Sequence, residues 1–429
     1  MEKKGEVAKL FDVKALSKIY WGAIIAILIV AGSVGAYVYW STLPKSETNE
    51  FELRVGALCA LTGVAAYRGI GMRDGAIMAL EEINAAGGLN GKPVNLIIED
   101  EGTTGDSEVK AVQKLITSDD VHFLIGIVAG SGAALAAAPV ACDAKVPLIL
   151  TYSSSDALTQ LVVDNYARYK YLFRTSLNLT AYSTNMIAFM NMLGKTRYYY
   201  ISEDMAYAHY TESLLTNMTK GTNLTRVGIS YWPLTVQDFT PELLKIKEAK
   251  PEVVIQFGAM SPNMILVRQY QSDPELRKIP ILIGSAGEFA EPDKMATLEK
   301  AFPGITNNLA MAEMGTVSAR LSAGTSFIDK FKARFGRSPT GTYEARMYDA
   351  VYMIVQLVNQ TQSLDPDVFV GAMEQINYKG IDARYTFAKD SHSSILGPEN
   401  CMITWQLSGA NRTYLLPSIY ATGTYVYAG

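Results

Sequence analysis

The sequence predicts an α/β protein: two doubly wound, mostly parallel sheet lobes preceded by one N-terminal transmembrane helix. Three observations lead there. The chain has 429 residues, too many for one ordinary core and enough for two domains plus an appendage. From residue 51 onward, apolar strand-like runs alternate with helix-like segments at about 30 residues per pair, the rhythm of βα units. Residues 19–40, IYWGAIIAILIVAGSVGAYVYW, contain no charged side chain.

At 1.5 Å per residue, that first run spans roughly 33 Å, enough to cross a bilayer core. Tyr20 and Trp21 at one end, and Tyr37, Tyr39 and Trp40 at the other, suit the two interfaces. Lys3, Lys4, Lys9, Lys14 and Lys18 precede the run. The positive-inside rule therefore predicts a cytoplasmic basic segment over 1–18, a single-pass anchor in the cell membrane, and an extracellular body. A cleaved signal peptide is the alternative, but its apolar region is usually about 7–15 residues long and ends at a small-x-small site. A third reading is pilin-like processing, since KALSK at 14–18 resembles sites in archaeal surface proteins. Residues 41–50, STLPKSETNE, read as a short polar linker. Five N-x-Thr sequons (Asn178, Asn217, Asn223, Asn359, Asn411) agree with an outward-facing body and are glycosylation candidates.

The body opens with FELRVGALCALTG, a strand ending in a glycine turn, then a helix in which Ile70, Ala76, Ile77, Leu80 and Ile83 recur at helical spacing. AAGGLNG stops it, and PVNLIIED is the next strand. Helix 106–119, strand 122–128, helix 132–144 and strand 146–151 follow. After about 172 a second series begins: helix 180–193, strand 196–202, helix 206–220, strand 225–232, helix 240–249, strand 252–257, helix 262–272 and strand 279–284. Such alternation means parallel strands joined by right-handed crossovers. Residues 342–360 form a long amphipathic helix, and RYTFAKD, CMITWQL and TYLLPSIY are late strands that join sheets already built. The expected division is 51–175 plus 309–395 for lobe 1 and 176–308 plus 396–429 for lobe 2.

Little in the sequence supports catalysis. Charged residues make up 19% and the net charge is −4, which disfavours nucleic acid as a partner. The three cysteines, Cys59, Cys142 and Cys401, are odd in number and too widely spaced for a disulfide scaffold; they read as buried free thiols, with one disulfide as the alternative. His122, His209 and His392 have no metal-site spacing. There is no GxSxG elbow. GIGMRDG (69–75) lacks the spacing of a dinucleotide loop, and GGLNGK (87–92) lacks the Ser or Thr of a phosphate loop. The expectation is a binding protein with no metal or cofactor.

Ligands of open α/β sheets sit beyond the strands' carboxyl ends, and four loops stand out there. LTGVAAYRG carries Tyr67. VAGSG places Ala129, Gly130 and Ser131 at the start of an alanine-rich helix, whose free N–H groups suit a carboxylate. TYSSSDALT offers Ser153 and Ser154. Across the cleft lie Tyr207, Met260 in FGAMS and Glu288 in GSAGEF. Each has a plainer reading as a helix cap or a core side chain.

The run VGALCALTGVAAYRGIGMRDGAIMALEEINAAGGLNGKPVNLIIEDEGT, with GSGAALAAAPVACDAKVPLILTYSSSDALT and YEARMYDAVY, resembles the extracellular solute-binding proteins of branched-chain amino acid ABC transporters. The likeness runs over residues 51–429 in order. It implies the type I periplasmic-binding-protein architecture: two lobes, three crossovers and closure on a small solute that is then delivered to an ABC permease. It implies that the loops at Ala129–Ser131 and Ser153–Ser154 hold a carboxylate and that Tyr67 and Tyr207 face the ligand. Two positions depart from the pattern. Gly130 stands where the family has its first ligand serine. The acid that receives the ligand's ammonium falls near Ala286, with Glu288 two residues later as its replacement. Without that acid an amino acid loses its counter-charge, and the ligand becomes another small carboxylate or amide. A sensor or surface-assembly protein of the same fold is the second reading, and an exported amidase-type enzyme the third.

Overall fold

Arg54–Cys59 (RVGALC) forms β1, buried from Val55 onward. A strand without polar alternation must be covered on both faces, as in the middle of a parallel sheet. β1 pairs in parallel with β2 (Asn95–Asp100) and β3 (Phe123–Gly126). β4 (Leu148–Leu150) and β5 (Leu172–Arg174) complete the order β2-β1-β3-β4-β5. This computed structural model describes residues 52–258, 262–285, 287–290, 292–315, 322–339, 341–408 and 411–428. The expected basic segment, the span 19–40 and the linker lie outside the described residues. Among those described, no helix is long and apolar enough to cross a membrane.

The first sheet is connected by α1 (Ala66–Ala85), α2 (Gly105–Thr117), α3 (Ser131–Asp143), α4 (Asp156–Asp164) and α5 (Tyr166–Tyr169). The alanines of α3 are its packing surface: Ala133, Ala134, Ala137, Ala138 and Ala141 are buried. GIGMRDG also has a packing explanation. A Cβ on Gly75 would meet the Glu344 carbonyl oxygen at 2.1 Å, and one on Gly69 the Ala60 carbonyl at 2.0 Å. Glycine there lets α1 approach its neighbours at backbone distance.

The second sheet is built from α6 (Leu179–Met192), β6 (Arg197–Glu203), α7 (Ala206–Met218), β7 (Thr225–Trp232), α8 (Thr240–Ala249) and β8 (Val253–Phe257). α9 (Asn263–Ser272), β9 (Ile281–Ile283), α10 (Pro292–Ala301) and β10 (Leu309–Met314) follow. The chain then returns to the first lobe with α11 (Ser322–Phe335), α12 (Thr342–Thr361), α13 (Pro366–Met373) and the ribbon β11 (Tyr378–Lys379) with β12 (Arg384–Tyr385). It re-enters the second through β13 (Met402–Ser408) and β14 (Asn411–Leu416), giving β14-β13-β10-β9-β8-β6-β7 with β13 and β14 antiparallel.

Three sequence expectations need correction. Residues 309–314, assigned to lobe 1, are β10, which lies between β9 and β13 in the second sheet. Of RYTFAKD, only Arg384 and Tyr385 pair as a strand, with β11. Cys401 is half-buried, whereas Cys59 and Cys142 are buried; all three are free thiols.

The chain crosses between sheets three times, and one buried ion pair reaches all three crossings. Arg346, on α12, is fully buried. Its Nη1 donates to the carbonyl of Thr175, at the first crossing, and its Nη2 to Asn400 Oδ1, at the third, at 3.4 Å. Its Nε is 2.8 Å from Asp382 Oδ2. That carboxylate lies against Gly315 at the second crossing, where a Cβ would meet it at 2.1 Å and where φ is +86°. Asp349 closes the network: it accepts from the amides of Ile381 (2.8 Å) and Asp382 (3.1 Å) and from the Tyr385 hydroxyl (3.0 Å).

Removing one partner of a buried ion pair leaves the other charged and unpaired, at about 3–5 kcal/mol. Asp382→Asn and Arg346→Met are therefore expected to lower unfolding stability by that order in denaturant titration, and a loss below about 1 kcal/mol would contradict the assignment. Burial raises the Asp349 carboxyl to about 7 despite its three donors. A group whose folded pKa exceeds its unfolded value near 3.9 stabilises the fold below that value and loses the contribution as pH rises through the folded pKa. The stability gap between the parent and Asp349→Asn should thus narrow from pH 5 to pH 8; a pH-independent gap would show that Asp349 does not titrate there.

Candidate functional site

The carboxyl ends of β1, β3 and β4 face those of β8 and β9 across a narrow cavity of about 50 Å³. Its lining includes Arg68, Gly130, Ser131, Tyr152, Ser153 and Ser154 from the first lobe, and Tyr182, Tyr207, Phe257 and Ser285 from the second.

The loop before α3 is held from behind. Glu101, buried at the end of β2, accepts the amides of Val128 (2.8 Å) and Ala129 (2.9 Å) on one oxygen. Its buried neighbour Glu108 is pushed up to about 11 by burial and by Glu101's charge, so one carboxyl of the two is protonated at neutral pH. The expectation that Ala129 offers its amide to a ligand is therefore corrected: that amide serves Glu101. Gly130 is the N-cap of α3, with φ 142°, and Ser131 is the first helical residue. Both line the cavity, and nothing lies within 4 Å of where a Gly130 Cβ would stand.

In YSSSD the serines divide their work. Ser155 caps α4 through the Ala157 amide. Ser153 and Ser154 line the cavity and donate their hydroxyl protons to the carbonyls of Ile127 and Tyr152, each at 3.2 Å. Their oxygens remain as acceptors, and each hydroxyl must rotate to donate to a solute. Tyr207 lines the second lobe, with its ring edge-on to Phe257 at 5.8 Å. Met260 and the side chain of Glu288 lie outside the described residues; the Glu288 backbone forms part of the 3-10 turn Gly287–Ala290.

Tyr67 stands one step behind the wall. Its hydroxyl accepts from Arg68 Nε at 2.9 Å, and its ring packs edge-on to Tyr343 at 6.4 Å. Arg68 is the residue sequence reasoning missed. The residue is 4% exposed, and its guanidinium sits 5.4, 5.7 and 5.8 Å from the ring centres of Tyr67, Tyr152 and Tyr343. Three π-faces partly offset its lost hydration. Its Nη2 is buried without a hydrogen-bond partner, and among the described residues no carboxylate forms an ion pair with it. The signal in the sequence was a lone arginine one position after the selected tyrosine, in the first turn of α1.

The lobes also touch at the cavity. Tyr343 donates its hydroxyl to that of Tyr152 (3.0 Å), which lies 3.1 Å from Ser285 Oγ in the other lobe. Below them, burial raises the Glu313 carboxyl to about 7, although it accepts the amides of Met314 and Gly287.

Residues 52–411 match the family model described as periplasmic binding protein. The Leu/Ile/Val-binding protein homolog 8 of Brucella abortus is 24% identical over 340 residues, which cover 76% of this chain and 81% of that protein. The crystal structure of a putative branched-chain amino acid ABC transporter from Silicibacter pomeroyi superposes with a TM-score of 0.73 at 20% identity, over 87% of this chain and 98% of that one. A solute-binding protein of an ABC transporter from Rhodopseudomonas palustris BisB5, in complex with 3,4-dihydroxybenzoic acid, gives 0.71 at 22% identity, over 83% and 93%. With two α/β lobes, three crossings and a cavity at the facing strand ends, the chain belongs to the periplasmic-binding-protein family.

Proposed function

We propose that this protein captures a small carboxylate-bearing solute between its lobes and delivers it to an ABC permease. The observation that carries the reading is Arg68: a buried cation on the cavity wall whose Nη2 has no partner. A buried unpaired charge is costly, and an incoming carboxylate supplies both the opposite charge and the missing acceptor. The names and titles of its relatives agree, since branched-chain amino acids and 3,4-dihydroxybenzoic acid both carry a carboxylate. Gly130 and Ser131, at the start of α3, and the hydroxyls of Ser153 and Ser154 complete the polar end of the site. Tyr207 and Tyr152 close over it from opposite lobes, and Tyr67 orients Arg68. In this reading, residues 19–40 tether the protein to the cell membrane with its body outside. Asn217, Asn223, Asn359 and Asn411 are exposed there as glycan acceptors, while Asn178 is engaged as the N-cap of α6.

Charge-assisted hydrogen bonds contribute about 1.5–3 kcal/mol, so Arg68→Gln should weaken carboxylate binding by about 10–100-fold. Isothermal titration of the purified full-length chain with branched-chain amino acids and small carboxylates, beside circular dichroism of the variant, checks this. Unchanged affinity in a folded Arg68→Gln protein would remove the carboxylate anchor.

A further inference from the structure

We infer that the solute is an aromatic monocarboxylate without an α-ammonium group. This rests on the proposed carboxylate site and narrows its substrate class. Two properties of the cavity wall lead there.

The first is charge. Among the described residues lining the cavity, Arg68 is the one ionic side chain. An amino acid that places its carboxylate on Arg68 carries its ammonium one carbon away, facing a guanidinium already short of counter-charge. Among the described side chains two acids lie nearby, and neither forms part of the wall. Glu313 is buried, and each of its carboxyl oxygens accepts a backbone amide. Glu203 is buried against Gly258, where a Cβ would collide with its carboxylate. Ser153 and Ser154 offer only neutral oxygens, which suit a hydroxyl better than a second buried cation beside the first.

The second property is shape. Beyond Arg68 the wall is aromatic: Tyr152 from the first lobe, and Tyr182, Tyr207 and Phe257 from the second. Tyr182 and Tyr207 both stand edge-on to Phe257, at 5.4 and 5.8 Å between ring centres. Tyr152 is braced by Tyr343 at 4.4 Å. Rings from both lobes thus close on the same space, and a flat ring between them gains the edge-to-face or offset contacts that a branched aliphatic chain cannot make. The cavity pairs one cation with several aromatic rings, as a benzoate-like or phenylalkanoate-like anion requires.

The test uses matched ligands on the purified full-length chain. By calorimetric titration, 3-phenylpropanoate should bind at least about 100-fold more tightly than L-phenylalanine, which differs only by the ammonium group. Benzoate should bind about tenfold more tightly than cyclohexanecarboxylate, which keeps the charge and loses the aromatic ring. Arg68→Gln should weaken both aromatic acids. L-Phenylalanine or L-leucine binding as tightly as the desamino acids, with Arg68 still required, would overturn this inference and leave the carboxylate reading standing. If no carboxylate binds, or if binding ignores Arg68, both fall.

Discussion

The architecture depends on a buried guanidinium. Arg346 sits in α12, within the first lobe, yet two of its nitrogens bond residues where the chain passes between lobes and the third holds Asp382. The first and third crossings are held by hydrogen bonds to Thr175 and Asn400, and the second packs Gly315 against the Asp382 carboxylate that neutralises the arginine. A charge this deep is tolerated only because each donor is satisfied. The crossings are therefore gathered around one ion pair.

What lies at the cleft follows the opposite rule. Arg68 is also buried and charged, but its partners are a tyrosine hydroxyl and three ring faces, and one nitrogen is left unsatisfied. One arginine is complete within the protein; the other is completed by something from outside. The loop beside it is held from behind, since Glu101 takes the amides of Val128 and Ala129 and leaves Gly130 and Ser131 to line the cavity. Preorganisation of this kind lowers the ordering cost of binding.

Much of the fold was legible in the sequence, because strands covered on both faces and helices between them leave a strong periodic trace. The α/β alternation from β1 to β9 is of that kind. What escaped was set by distant pairing. Nothing local in LAMAEM says that β10 lies between β9 and β13, and nothing in RYTFAKD limits its strand to two residues. The site was legible at the level of loops and less so at the level of atoms. Gly130, Ser131, Ser153, Ser154 and Tyr207 do line the cavity. Tyr67 was chosen over its neighbour, but consecutive residues on a helix point about 100° apart, and the turn aims Arg68 at the cleft instead. The loss of the Ala129 amide to Glu101 depends on a side chain 28 positions away, which no motif encodes.

The central claim is that an incoming carboxylate completes Arg68 between the two lobes. The most direct measurement is a crystal structure of the protein grown with 3-phenylpropanoate. The account predicts a carboxylate oxygen within about 3 Å of Arg68 Nη2, with the ring among Tyr152, Tyr182, Tyr207 and Phe257. A ligand whose carboxylate rests elsewhere, with Nη2 still unpartnered, would contradict it.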